Sequence, residues 1–221
     1  MRVGILGSGS MGSKLGTILA RSGHEVVFSY SRSPDKLRQL AAEAGARARA
    51  GTPAEAALKA DALVLAVHWS RVDDVLAQAG KLSRKTVLTC TLPMNKDDDE
   101  MVVGFSTSGA ETLADKIPAA HVVSAFSTAP SEVLFSVFRR RKRRTRPDLV
   151  YCGDNTRAKK TAARLIRDVG FNPVDLGALS AARYVEPFSL LLAQIAYEGS
   201  NGPELAYRFE WPGVPFASRK R

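Results

Sequence analysis

The sequence predicts an α/β protein with a doubly wound, mainly parallel sheet and a small C-terminal substrate lobe. Strand-like segments alternate with amphipathic helical segments along most of the 221 residues, which is the pattern of βαβ units. Residues 62–67 are continuously apolar, as expected of a strand that helices cover on both faces. With 45% hydrophobic and 24% charged residues, the chain can form a sizeable core without disulfides or a metal.

The first half of the chain contains the most regular part of this pattern. Apolar runs bounded by turn residues predict strands over 2–6, 25–29, 62–67, 86–91 and 121–126. Helical periodicity and caps predict helices over 10–22, from Ser33-Pro34 onward, and over 52–60, 72–79 and 108–116. Ser108 and Glu111 form a capping-box pattern at the last of these helices. We predict that this first domain spans residues 1–128.

The second half, residues 129–221, is less regular. Its predicted helices are 132–138, 156–169 and 181–197, and its predicted strands are 149–152 and 173–176. The helix over 181–197 is the most apolar of the chain, so we expect it to form a subunit contact in a homodimer. Prolines and Gly213 interrupt the tail, and residues 219–221 are expected to fray.

A glycine-rich turn joins the first predicted strand to the first predicted helix. It has the pattern G-x-G-x-x-G and consists of Gly7, Ser8, Gly9, Ser10, Met11 and Gly12. In a Rossmann domain these glycines permit a tight turn, the approach of a pyrophosphate, and close packing of helix and strand. The anion then binds free N–H groups at the positive end of the helix dipole. We predict a dinucleotide site here; the alternative is a glycine-rich turn without a ligand.

The end of the second predicted strand favours NADP over NAD. NAD enzymes usually place Asp or Glu there to bind the ribose hydroxyls, but this chain has no acid before Asp35. A guanidinium and hydroxyl groups can instead bind a 2′-phosphate. We therefore assign the 2′-phosphate to Ser31, Arg32 and Ser33, with Lys36 as an outer charge; the alternative is an exposed polar loop.

Polar residues also follow other strands at the edge where ligands bind in open α/β sheets. Val67, His68 and Trp69 follow the strand over 62–67, and we predict either a nicotinamide or ribose contact or simple packing at the rim. Ser127 and Thr128 follow the strand over 121–126 and could bind the carboxamide or the acceptor.

The formal net charge is +10, and part of it lies in a basic run, residues 139–146. A solvated loop is the favoured interpretation, because the run has no interleaved aromatic residues for binding nucleic acid. The run could alternatively attract an acidic tail of the acceptor.

The two cysteines predict reduced core thiols, and no apolar stretch is long enough to cross a membrane, so we expect a cytoplasmic protein without a membrane partner.

The chain resembles the NADPH-dependent oxidoreductases of the deazaflavin coenzyme F420, over residues 1 to about 208. The resemblance rests on segments 3–12, 23–27, 31–32, 66–69, 106–110, 122–128, 150–154 and 177–186. It implies hydride transfer between the nicotinamide and the deazaflavin, in a cleft between the two halves, and a homodimer. It also places Pro93 in the loop beside the nicotinamide.

Some positions depart from the family pattern. Ser127 stands where the family often has His or Asn, and the acidic run 97–100 is not a family feature; solvation of that run is favoured over a metal site. No catalytic triad is evident, and the cofactors can supply the chemistry themselves. The favoured acceptor is coenzyme F420, with a flavin or ferric complex as the alternative. An NADP(H) sensor without turnover is a further alternative, and Arg183 and Glu186 are expected either to pair with each other or to contact substrate.

Overall fold

The fold is described from a computed structural model, over residues 1–213. The predicted frayed end, residues 219–221, lies outside the described residues. The structure has the predicted mainly parallel sheet with helices on both faces. Its strands are β1 (Arg2–Leu6), β2 (Glu25–Ser29), β3 (Ala48–Ala50), β4 (Ala62–Leu65), β5 (Thr86–Thr89), β6 (His121–Ala125), β7 (Asp148–Gly153) and β8 (Asn172–Asp175).

The helices alternate with these strands, as the sequence pattern predicts. They are α1 (Ser10–Arg21), α2 (Pro34–Ala44), α3 (Pro53–Leu58), α4 (Val72–Ala79), α5 (Gly109–Lys116), α6 (Leu134–Arg139), α7 (Thr156–Val169) and α8 (Ala182–Ala193). Short 3₁₀ turns precede α4, α6 and α8, and a π-helical turn, Gln194–Glu198, continues α8. The predicted helix over 181–197 is therefore three successive helical forms.

The eight strands form one sheet in the order β3-β2-β1-β4-β5-β6-β7-β8. All neighbouring strands are parallel except β6 and β7, which pair antiparallel with Ala125 opposite Tyr151. The order reverses between β1 and β4, and such switch points create a crevice at the carboxyl ends of the strands. The predicted domain boundary at residue 128 falls between two strands of the same sheet and stays a prediction.

Two apolar clusters lie on opposite faces of the sheet. One contains residues of α1, α2, α6 and α7, and the other contains residues of α3, α4, α5 and α8. The helices bury apolar side chains at helical spacing; Leu15, Ile18 and Leu19 of α1, for example, are fully buried. Both faces of the central strands are thus covered, which explains the continuous apolar run in β4.

Three details of the secondary structure differ from the sequence prediction. No sequence pattern marks β3, because Ala48, Arg49 and Ala50 have low strand propensity; parallel pairing with β2 imposes the conformation. The predicted strands over 62–67 and 86–91 each end two residues early. At α5 the box is only half formed: Ser108 Oγ accepts from Glu111 N–H, while the Glu111 carboxylate accepts from the Ser108 hydroxyl and from Arg183 rather than from the Ser108 backbone N–H.

Candidate functional site

A cleft of about 1180 Å³ opens at the carboxyl edge of β1, β2, β3 and β4. It lies at the switch point of the sheet, where the strand order reverses. Its lining comes from the loop after each of these strands and from the first turns of α2, α3 and α4. The predicted site residues in this lining are Gly7, Ser8, Gly9, Ser31, Arg32, Ser33, Lys36, Val67 and His68.

The three glycines of the turn after β1 have distinct steric settings. Gly7 has φ +124°, and a Cβ there would lie 2.2 Å from the Ala66 carbonyl oxygen. A Cβ at Gly12 would lie 2.0 Å from the Gly7 carbonyl oxygen, so α1 begins in direct contact with the turn. A Cβ at Gly9 would meet no atom within 4 Å, so the space above this residue is open. Two glycines therefore serve packing, and the third leaves room for a ligand.

The N-terminus of α1 has no side-chain cap and no acidic residue in its first turn. By contrast, side chains cap α2, α3 and α7: Ser33, Thr52 and Asn155 each accept a hydrogen bond from the first turn. The first N–H groups of a helix have no acceptor within it and carry partial positive charge. At α1 these groups belong to Ser10, Met11 and Gly12, and they remain available to an anion in the cleft.

The loop after β2 forms the outer wall of the cleft. Ser31 Oγ accepts a hydrogen bond from Ser33 N–H (3.2 Å), and Ser33 caps α2. Arg32 and Lys36 line the cleft, and within residues 1–213 neither forms an ion pair. Arg38 also lines it but is neutralised by Asp35. The wall thus presents two uncompensated cations beside two hydroxyl groups.

Several lining residues were missed by the sequence analysis. Tyr30, which has φ 60°, donates a hydrogen bond from its hydroxyl to Asp74 Oδ2 (2.5 Å) across the cleft floor. Burial and then this hydrogen bond raise the pKa of Tyr30 to about 12, so the hydroxyl keeps its proton. Gln78 holds the same carboxylate (3.2 Å). Only the fold brings α4 to β2, so spacing in the sequence could not have revealed this set.

His68 lines the cleft, but both nitrogens of its ring contact other groups of the protein. Its Nδ1 accepts from Ser70 N–H (3.1 Å), which leaves the proton on Nε2 in the neutral ring. Nε2 lies 3.0 Å from the Asn95 carbonyl oxygen and 3.1 Å from Asp98 Oδ1. The ring therefore ties the acidic run to the end of β4. Residues 1–213 contain no group of three or more His, Cys, Asp or Glu suited to a metal.

The other predicted site residues do not line the cleft. Trp69 packs against the apolar cluster of α3 and α4, and Pro93 is buried against Gly109 of α5. Thr128 is 2% exposed, and its hydroxyl is hydrogen-bonded to the Tyr207 hydroxyl (2.8 Å). Ser127 is partly exposed and lies 3.2 Å from the Ser189 hydroxyl of α8. The assignment of these four residues to the cofactor site stays a prediction. The burial of Thr128 and its hydrogen bond to Tyr207 do not support it for that residue.

The expected pairing of Arg183 with Glu186 is wrong. Arg183 instead forms a two-pronged ion pair with Glu111, which holds the pKa of Glu111 below its usual range. Glu186 is 2% exposed and accepts hydrogen bonds from the N–H groups of Gly109 (2.8 Å) and Ala110 (2.9 Å). Burial raises the pKa of Glu186 to about 7, while the two N–H groups oppose that shift. Both side chains therefore fasten α8 to α5 rather than contact a ligand.

The part of the chain that forms the cleft is similar in sequence to a known family. Residues 2–93 match the sequence profile of the family "NADP oxidoreductase coenzyme F420-dependent". This segment contains the glycine turn, the loop after β2 and every residue lining the cleft. The similarity to this family of NADP-dependent oxidoreductases thus lies in residues 2–93, which are less than half of the chain.

The curated relatives of the chain include metalloreductases. The chain is 32% identical to metalloreductase STEAP3 of Rattus norvegicus over 191 residues, which are 86% of this chain and 37% of the relative. It is 28% identical to human metalloreductase STEAP2 over 86% of this chain and 36% of the relative. The chain thus spans little more than a third of the length of these relatives.

Solved structures show the same fold. A protein of Arthrobacter sp. FB24, described as a proposed F420-dependent NADP reductase, superposes with TM-score 0.83 at 20% identity, covering 96% of this chain and all of that one. The reductive aminase of Aspergillus terreus, solved with NADPH, superposes with TM-score 0.64 at 19% identity, covering 88% of this chain and 61% of that one. At these identities the likeness concerns the fold alone.

Proposed function

We propose that the protein is an NADPH-dependent reductase that passes a hydride to a small redox acceptor, with coenzyme F420 as the first candidate. One observation carries the proposal: the uncapped N-terminus of α1 and the open space at Gly9 face the same cleft as Arg32 and Lys36. A dinucleotide with an extra 2′-phosphate has anionic groups for both places. The bound nicotinamide supplies the hydride.

In this proposal the residues of the chain bind the cofactor and orient it toward the acceptor. The N–H groups at the start of α1 bind the pyrophosphate, and Ser31, Arg32, Ser33 and Lys36 bind the 2′-phosphate. No thiol participates, since burial raises the pKa of both Cys90 and Cys152 to about 12 and keeps them protonated. This arrangement fits a reaction in which the cofactors carry the chemistry and the protein aligns them.

The test is anaerobic mixing of the protein with NADPH and coenzyme F420, followed at the absorption maximum of the deazaflavin. NADPH-specific bleaching, absent with NADH, is the expected result. NADPH binding without bleaching would discard F420 as the acceptor. The same assay with FMN and with a ferric chelate distinguishes the second candidate, a flavin or ferric reductase, which the metalloreductase relatives favour. Binding with no turnover on any acceptor would indicate an NADP(H) sensor.

The homodimer also belongs to this proposal. Tyr184, Leu191 and Ile195 project from one side of α8 and its continuation, and each is more than half exposed. Such a row of apolar side chains is typical of a helix that packs against a partner. Light scattering after size exclusion should give twice the mass of the 23.8 kDa chain. A monomeric mass, unchanged in Leu191→Glu, would overturn the dimer.

A cytoplasmic location is part of the proposal as well. Cys90 and Cys152 are both free, which suits a reducing compartment. Among residues 1–213, no helix has the length and apolar character needed to span a bilayer. Fractionation of the native host tests the location, and recovery from an oxidising compartment would contradict it.

A further inference from the structure

The excess positive charge of the chain is confined to one segment. Residues 133–167 contain twelve Lys or Arg and two Asp or Glu, so their formal charge equals the net charge of the whole chain, +10. The remaining residues therefore carry equal numbers of basic and acidic side chains. The residues that line the nucleotide cleft therefore belong to the part of the chain without net charge.

The fold gathers this charge on one surface, which we call the basic face. Along α7, the exposed residues Arg157, Lys160, Arg164 and Arg167 follow one side of the helix. Ten residues separate the first from the last, or about 15 Å along the axis. The apolar side of α7 is buried against the sheet, so the basic side points outward.

The basic run adjoins the end of this row. A Cβ at Gly170, which ends α7, would lie 3.0 Å from the Cβ of Arg141, so the run packs against the end of the helix. The Arg141 guanidinium stacks on the buried Phe138 ring at 3.9 Å, while Arg140, Lys142 and Arg143 are exposed. The row on α7 and the run therefore form one continuous surface.

Few acidic side chains compensate the basic face. Asp168 pairs with Arg164 and with His24, and Asp175 pairs with Lys159. Within residues 1–213, Arg140, Lys142, Arg143, Lys160 and Arg167 form no ion pair. So many like charges on one surface repel each other, and an anionic partner would relieve that repulsion.

Two exposed aromatic residues belong to a segment that contacts the start of β7, which follows the basic run in the chain. The N–H of Phe209 donates to Asp148 Oδ2 (2.7 Å), two residues beyond the end of the run, and Trp211 follows. Phe209 is 38% exposed and Trp211 is 55% exposed. Exposed aromatic residues and clustered Arg and Lys are both typical of surfaces that rest on an anionic bilayer. By contrast, the row on α7 holds no aromatic ring on which a nucleic-acid base could stack.

We propose that the basic face docks the protein on an anionic lipid surface, which departs from the sequence-based expectations of a solvated loop and of no membrane partner. The occupant is the phosphate and carboxylate layer of a bilayer rich in acidic lipid, such as phosphatidylserine. The basic face lies toward the C-terminal end of α1, because Ser22 Oγ donates to the Asp168 carbonyl oxygen of α7 (3.1 Å). The nucleotide cleft lies at the N-terminal end of α1, so we expect it to stay open while the protein is docked.

The test measures co-sedimentation of the full chain with large vesicles. One set is phosphatidylcholine alone, and the other is phosphatidylcholine and phosphatidylserine in a three-to-one ratio. We expect binding only to the second set, with loss of binding as salt rises. The triple variant Arg140→Glu, Lys142→Glu, Arg143→Glu should partition roughly 100-fold more weakly. The variant Lys160→Glu, Arg167→Glu tests the row on α7 and should also bind more weakly.

The matched control reverses three exposed lysines of the neutral part of the chain: Lys59→Glu, Lys81→Glu, Lys96→Glu. It has the same net charge as the triple variant and should bind like the wild type. Circular dichroism confirms that each variant is folded. Equal loss in the control, absence of wild-type binding to the acidic vesicles, or tighter binding to a DNA or RNA duplex than to those vesicles would each overturn the proposal.

Discussion

The N-termini of α1 and α5 differ in what accepts hydrogen bonds from their first N–H groups. Both follow a parallel strand and its connecting loop, and both begin with N–H groups that need an acceptor. At α5 the protein fills the position itself, with the Ser108 hydroxyl and the buried Glu186 carboxylate. At α1 no side chain approaches, and the residue at the N-cap is a glycine with open space around it.

The difference shows what distinguishes a structural helix end from a ligand site. The N–H groups at both helix ends favour an acceptor, but only at α5 does the chain itself supply one. The carboxylate at α5 comes from α8, 76 residues along the chain from Ala110, so it joins two distant elements. The uncapped end of α1 gains no such stabilisation from the chain, and its position beside a large cleft favours a bound ligand.

The largest effect, on NADPH affinity, should come from placing a carboxyl group at the N-terminus of α1, as the chain does at α5. Gly9→Asp adds a carboxylate at the N-cap without a steric clash, since a Cβ there meets nothing within 4 Å and φ is −72°. Two like charges 4 Å apart repel by about 4 kcal/mol near a protein surface. NADPH affinity should fall at least about 100-fold, measured by calorimetry. Gly9→Asn, which caps without charge, should lose much less; equal losses would contradict the electrostatic explanation.

The second effect concerns the titration of Glu186. The pKa in the folded protein is raised from 4.5 to about 7, so folding disfavours the ionised form. The protein is therefore most stable below about pH 4.5 as far as this group is concerned, and it loses that stability as pH rises to 7. Each pKa unit corresponds to about 1.4 kcal/mol, so the full fall is about 3 kcal/mol.

Urea unfolding at several pH values between 4.5 and 8 measures this fall. Glu186→Gln keeps the size of the side chain and removes the charge, so its unfolding free energy should lack the Glu186 component of the pH dependence. A variant with the same pH dependence as the wild type would show that other groups are responsible.

The third effect sharpens the assignment of the outer wall of the cleft. Arg32→Ala should weaken NADPH binding about tenfold, because it removes a charged partner of the 2′-phosphate. NADH lacks that phosphate, so its affinity should stay within about twofold. Arg38→Ala is the matched control, since Asp35 already neutralises Arg38. Equal weakening of NADPH and NADH by Arg32→Ala would move the 2′-phosphate site elsewhere.

The smallest effect is expected at the hydroxyl that completes the α5 terminus. Ser108→Ala removes the cap that accepts from Glu111 N–H, which should cost about 1 kcal/mol of unfolding free energy. NADPH binding should be unchanged, because α5 does not line the cleft. Thermal unfolding and calorimetry measure the two quantities, and a weakened NADPH complex would link the two helix ends after all.

The sequence predicted those features that depend on local patterns. The glycine turn, the Ser33 cap and the apolar strands all depend on residues close together in the chain, and the structure has them, although β4 and β5 each end two residues early. β3 was missed because it has three residues of weak strand propensity, which pairing with β2 overrides.

Features built from distant residues could not be predicted in this way. The Glu186 carboxylate reaches α5 only because α8 packs against it, and spacing along α8 suggested a pair with Arg183 instead. Tyr30 and Asp74 are 44 residues apart, and nothing local marks them as partners. The antiparallel orientation of β7 likewise depends on how the chain returns to the sheet after β6.

The reversal at β7 also has an evolutionary consequence. The unit β7-α7-β8 runs against the rest of the sheet, so the loop that follows β7 opens away from the edge that holds the cleft. Mutations in that unit can accumulate without disturbing cofactor recognition, provided that its buried side is preserved. We therefore expect changes on the outer side of this unit to have little effect on what the cleft binds.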